Sequence, residues 1–183
     1  MKKRYVFAIT ICAIVGMLEV SKDSRAGVIT AEQIQLVKEI QQKLNLSFQC
    51  DFSVFIGETR KYATANSSGV ILIDKSFLQS ADPGSIFFAI AHEYAHAYLQ
   101  HDIRMYGHAQ QDSRKLSDVR RALEKEADGI AARKAKQMGF DIESIMIFIL
   151  GSPDSEKGIP PEHRVYSRPR ERADYILAVY QSS

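Results

Sequence analysis

The sequence predicts an α+β domain in which several helices surround one small β-sheet. Three observations carry this reading. Long segments repeat apolar residues at helical spacing, and one stretch between residues 52 and 74 is rich in β-formers. A chain of 183 residues with 45% apolar and 25% charged side chains is enough for one globular core.

Residues 1–26 stand apart from that domain. Lys2, Lys3 and Arg4 make a basic start, Tyr5 to Leu18 is a nearly unbroken apolar run, and Ser24-Arg25-Ala26 offers small residues for cleavage before Gly27. This pattern predicts a signal peptide and export, to a bacterial periplasm. The alternative is a retained anchor in the inner membrane, since 14 apolar residues are short of a usual span but a thinned bilayer accommodates them. Ile11 before Cys12 argues against a lipoprotein signal. Without this segment the formal charge of +2 falls to about −1, so bulk electrostatics gives a nucleic-acid partner no support. Cys50 is then the lone cysteine, which excludes an internal disulfide and a structural cysteine zinc site.

Within residues 27–183 the elements follow in order. Thr30 caps a helix whose Ile34, Val37, Ile40 and Leu44 recur at helical spacing, with Gln33 where a capping box needs it, running to about Leu46. A strand over Phe52–Ile56 follows, then a turn near Gly57–Arg60. Tyr62–Asp74 reads as two short strands around a turn at Asn66–Gly69, either a hairpin wall or an edge able to pair with an extended peptide. A helix is expected from about Ser85 to Gln100, a polar connection around Gly107–Asp112, and a helix from about Ser117 to Met138 stopped by Gly139. A further helix covers Ile142–Leu150, Gly151–His163 is a loop, and Pro169 opens a closing helix with Ala173, Ile176, Val179 and Tyr180 on one face.

The chemistry concentrates on the middle helix. His92 and His96 are four apart, so both imidazoles project from one face, close enough to chelate one ion. Zinc accepts neutral imidazole and keeps one position open in a catalytic site. Glu93, beside the first histidine, is placed to take a proton from an activated water and pass it to a leaving amine. Glu124 and Asp128, also four apart, share a face of a later helix. Glu124 is the candidate third ligand, and Asp128 the acceptor for the remote ring N–H of His92. An ordinary solvated face, with Lys125, Arg120, Arg121, Arg133 and Lys134 pairing these acids, is the plainer alternative. Asp102 is a rival ligand by its spacing from His96, but Leu99 stands where that arrangement needs a turning glycine. His101 is one residue short of a ligand position, and Glu126 is rotated about 200° from Glu124 and should point away.

These segments together resemble the HtpX/BepA-like and CAAX-prenyl-protease-like gluzincins, which are zinc endopeptidases. Phe88-Ala-Ile-Ala-His-Glu-Tyr-Ala-His96 looks like the family's metal helix, Leu123-Glu-Lys-Glu-Ala-Asp128 like its Glu-x-x-Ala-Asp helix, and Tyr62–Asp74 like the strand over its cleft. Lys136–Asp141 continues like the end of that second helix. The resemblance implies a zincin-like metallopeptidase domain over 27–183 holding one Zn(2+) per chain. It makes His92, His96 and Glu124 ligands, Glu93 the general base and Asp128 the outer acceptor.

The resemblance weakens near the C-terminus. The family usually shows a His-Pro segment with a nearby arginine, whereas Ser167-Arg-Pro-Arg-Glu-Arg172 has Arg168 in place of the histidine. A positive group here would stabilise the oxyanion of peptide hydrolysis, with Arg172 the first candidate and Arg168, His163 and Tyr166 behind it. The sequence contains neither the transmembrane helices of HtpX-like members nor the repeat domain of BepA-like ones. Protein or peptide substrates are the expected partners. The alternative is a non-catalytic zinc-binding protein that uses the same scaffold to hold a partner.

Overall fold

Thr30 opens the first helix by a reciprocal cap. Its side chain accepts the Gln33 backbone N–H at 3.2 Å, while Gln33 Oε1 accepts the Thr30 N–H at 3.1 Å, closing the expected capping box on α1 (Ala31–Phe48). Val37, Ile40, Leu44 and Phe48 face the core. The helix ends at Gln49, which takes the left-handed conformation at φ 54°. The computed structural model describes residues 28–111, 116–160, 164 and 166–183. The leader over 1–26 and its cleavage point before Gly27 lie outside the described residues. Among the described residues no helix is long and apolar enough to cross a membrane.

Three strands form the sheet: β1 (Ser53–Gly57), β2 (Ala63–Ala65) and β3 (Val70–Asp74), in the order β1-β3-β2. β2 and β3 are an antiparallel hairpin with Ala63 opposite Ile73, and β1 runs parallel to β3 with Ser53 opposite Val70. β2 is one arm of a hairpin and also an edge strand of the sheet. The hairpin turns on Gly69, whose φ of +81° favours glycine and whose missing Cβ would lie 2.1 Å from the Phe52 ring.

Helices make up the rest. Asp74 ends the sheet and caps α2 (Lys75–Ser80), a short helix the sequence did not announce, by accepting the Phe77 N–H at 3.0 Å. Asp82 caps α3 (Pro83–Tyr98) through the Ser85 N–H at 3.0 Å. α3 is the central element: Ile86, Phe87, Phe88, Ile90 and Tyr94 are all fully buried, each contributing roughly 1.5–3 kcal/mol by leaving water. The Phe87 ring stacks on Phe140 with centroids 4.1 Å apart.

The segment after α3 corrects the sequence reading. Instead of a helix to Gln100 and a polar connection, α3 stops at Tyr98, the chain turns at Gln100 with φ 53°, and α4 (His101–Gln111) begins at once. Gly107 lies inside that helix, and Asp112 is outside the described residues. α5 (Leu116–Gln137) then packs across α3, with Gly139 at φ 76° beyond its end. α6 (Ile142–Gly151) is capped by Asp141, and α7 (Pro169–Ser182) packs on α5 and α6. The described chain is thus α+β, mostly helical, with one three-stranded sheet.

Candidate metal centre

The site sits where α3 crosses α5. One helical turn separates His92 from His96, and the crossing brings Glu124 between them. The Nε2 atoms of the two histidines are 3.0 Å apart, and Glu124 Oε2 lies 3.3 Å from His92 Nε2 and 3.6 Å from His96 Nε2. A tetrahedral ion with bonds of about 2.0–2.1 Å sets its ligand atoms about 3.3–3.4 Å apart. The triangle has that size, so these three side chains could hold a metal ion.

A second layer holds the ligands from behind. Asp128 Oδ1 approaches His92 Nδ1 at 2.9 Å. Arg172 on α7 grips the same carboxylate with two hydrogen bonds of 2.7 Å, from Nε to Oδ2 and from Nη2 to Oδ1. The close approach of α5 and α7 is eased by Gly129, next to Asp128, where a Cβ would lie 2.6 Å from the Tyr175 hydroxyl. Asp128 is thus buried but paired on both sides, the condition under which a buried carboxylate is tolerated.

In the metal-free chain these charges control one another. Burial disfavours a charged ring at His92, but Asp128 and Glu124 outweigh it and push its pKa up to about 10. Burial would likewise raise Glu124, yet its contacts with His92 and His96 hold it well below the usual carboxylate range. Asp128 is also held low, against burial, by the Arg172 charge. Glu93 goes the other way, because burial raises it and the neighbouring histidines only partly offset that. It makes no hydrogen bond or ion pair among the described residues, so its carboxyl remains available to a bound molecule.

The triangle opens on a cleft of about 1180 Å³. Glu93, Arg172, Tyr166 and the β2 residues Ala63, Thr64 and Ala65 line it together with the three candidate ligands. No protein-family model matches the chain, and no curated protein matches it. The site therefore stands on its own geometry.

The remaining candidates fall at varied distances from it. Asp102 lines the cleft but is exposed, accepts the N–H of its neighbour Ile103 at 2.8 Å, and is no part of the metal triangle. Arg168 is exposed just before α7, and His163 lies outside the described residues. Tyr166 accepts a hydrogen bond from Arg120 at 3.1 Å. Of the basic residues that could have paired Glu124 and Asp128, four are engaged elsewhere: Lys125 lies over the Tyr175 ring, Lys134 donates to Ser47, Arg121 donates to the Arg164 carbonyl, and Arg120 donates to Tyr166. Arg172, selected from sequence as an oxyanion group, spends Nε and Nη2 on Asp128.

Sequence reasoning missed the part played by His101. It is buried, with its Nδ1 2.9 Å from His96 Nδ1 and its Nε2 3.3 Å from Glu126 Oε2. Burial, then the neighbouring His96 and Arg104, push its pKa down to about 4, so the ring is neutral. Glu126 does point away from the metal triangle, as its rotation on α5 predicts, and meets Arg104 at 2.8 Å. The available signal was a histidine five residues beyond His96 followed by an arginine on the same helical face.

Proposed function

We propose that this chain is a zinc-dependent endopeptidase of the HtpX/BepA-like kind, exported through its N-terminal segment and acting on extended protein or peptide substrates. The observation that carries the reading is the His92, His96 and Glu124 triangle, with spacings of 3.0, 3.3 and 3.6 Å, opening on a cleft beside Glu93, which has no hydrogen-bond or ion-pair partner among the described residues. Two imidazoles and one carboxylate are a catalytic zinc donor set that leaves a fourth position for a reactant. Zinc, when bound, supplies an acidified water and polarises the scissile carbonyl.

The chain's own residues supply the rest. The β2 edge, at Ala63–Ala65, offers backbone groups to a substrate strand along the cleft. Glu93 takes a proton from the attacking water and returns it to the leaving amine, and its raised pKa suits both halves of that exchange. Asp128 orients His92, and Arg172 keeps Asp128 ionised. The test is Glu93→Gln in zinc-loaded protein assayed on an unfolded protein substrate. Zinc should stay bound while turnover is lost, and undiminished cleavage would remove Glu93 from the mechanism. Full zinc occupancy with no cleavage by the unaltered chain would instead favour a non-catalytic zinc-binding protein.

A further inference from the structure

We propose that His101 is a positioning residue for the metal site, accepting the Nδ1–H of His96 on its own Nδ1 and so committing the His96 Nε2 lone pair to the metal. This rests on the reading that His92, His96 and Glu124 bind a metal ion.

The argument is one of proton counting along a chain of contacts. Arg104 Nη1 meets Glu126 Oε2 at 2.8 Å, which keeps that carboxylate ionised and able only to accept. His101 Nε2 is buried with the same oxygen 3.3 Å away, too poorly aligned to close a hydrogen bond, and, facing an atom that can only accept, it is the ring nitrogen better suited to carry a hydrogen. A metal held on His96 Nε2, the atom that faces the triangle, leaves His96 its hydrogen on Nδ1, and the ring nitrogen opposite must then be a lone pair. The two Nδ1 atoms are 2.9 Å apart, and two lone pairs at that distance would repel, so the hydrogen belongs to His96. His96 Nε2 is then the lone pair aimed at the triangle.

Backbone geometry makes this possible. The left-handed turn at Gln100 breaks the helix directly after α3 and sets His101 Nδ1 2.9 Å from His96 Nδ1, with Arg104 three residues on. Each ligand histidine thereby has its own brace. Asp128 and Arg172 stand behind His92, while His101, Glu126 and Arg104 stand behind His96. A purely packing role would be filled as well by an apolar ring, without burying two further nitrogens that need partners.

The experiment uses the full chain, zinc alone as the probe, and two readouts that need no activity. In the zinc-loaded protein, long-range proton–nitrogen correlation should show His96 protonated at Nδ1 and His101 at Nε2 only. Chelator competition should show zinc binding weakened about 10–100-fold in His101→Phe and largely recovered in His101→Asn, whose amide oxygen restores an acceptor. If His101→Phe fails to fold, Glu126→Leu replaces it and should weaken binding several-fold and mix the His101 tautomers. Zinc affinity within twofold of the unaltered chain in the folded variant, or a hydrogen on His101 Nδ1, overturns the proposal. If the unaltered chain takes up no zinc, this proposal and the metal reading fall together. If it binds zinc, cleaves nothing and still needs His101 for affinity, the positioning role stands and only the peptidase reading falls.

Discussion

Arg172 holds Asp128 through two hydrogen bonds of 2.7 Å, and Asp128 in turn lies 2.9 Å from His92 Nδ1. The residue selected from sequence to face an oxyanion is therefore joined to the metal triangle from behind. Arg172→Lys keeps the charge but loses the planar two-point grip. It should weaken zinc binding and lower thermal stability together. A fall in kcat at unchanged zinc affinity would assign Arg172 to the oxyanion instead.

Glu124→Ala removes one corner of the triangle and should lower zinc affinity by more than the roughly 10–100-fold expected from an outer partner such as Asp128. Equilibrium dialysis against buffered zinc measures this. One tightly held zinc per chain in the variant would move the third ligand elsewhere.

Stability of the metal-free protein should fall toward alkaline pH. His92 is raised to about 10 from an ordinary value near 6.5, so its favourable pairing is fully present below about pH 6.5 and is lost as pH rises through about 10. Glu124 and Asp128 are depressed, so their contribution is present above their ordinary range and lost as pH falls through their folded values. Urea unfolding of chelated protein at about pH 6 and pH 9 compares the two regimes. Greater stability at the higher pH would contradict the charged His92.

Gly69→Ala should destabilise the fold by about 1–3 kcal/mol, because the backbone is left-handed there and the new methyl meets the Phe52 ring at 2.1 Å. Phe52 in turn packs on Tyr94 of α3, with ring centroids 5.5 Å apart. Denaturant titration gives the loss directly, and an unchanged midpoint would mean that the hairpin yields freely.

Where local rules announce themselves the sequence was legible. The box at Thr30 and the stop at Gly139 are chemical signals within a few residues of a helix end, and each appears as expected; Asp82 and Asp141 cap α3 and α6 by the same kind of local chemistry. The break between α3 and α4 was not legible because Gln100 takes a left-handed conformation that usually marks itself with glycine. α4 was missed for a related reason, since His101–Gln111 is polar with few apolar positions and contains Gly107. The candidate ligands were readable from spacing alone, as i, i+4 pairs on two helices. The His101 contact was not, because it depends on that unmarked turn.

The triangle also ties together parts of the chain that are far apart along it. His96 and Glu124 are 28 positions apart, with the whole of α4 between them. An ion held by both would close that stretch into a loop, a constraint that sulfur does not supply there because residues 96–124 contain no cysteine. Such an ion would act as a removable cross-link, so the heat resistance of the folded chain would follow the free metal concentration around it. Scarcity of metal would then shorten the protein's lifetime as well as silence its site.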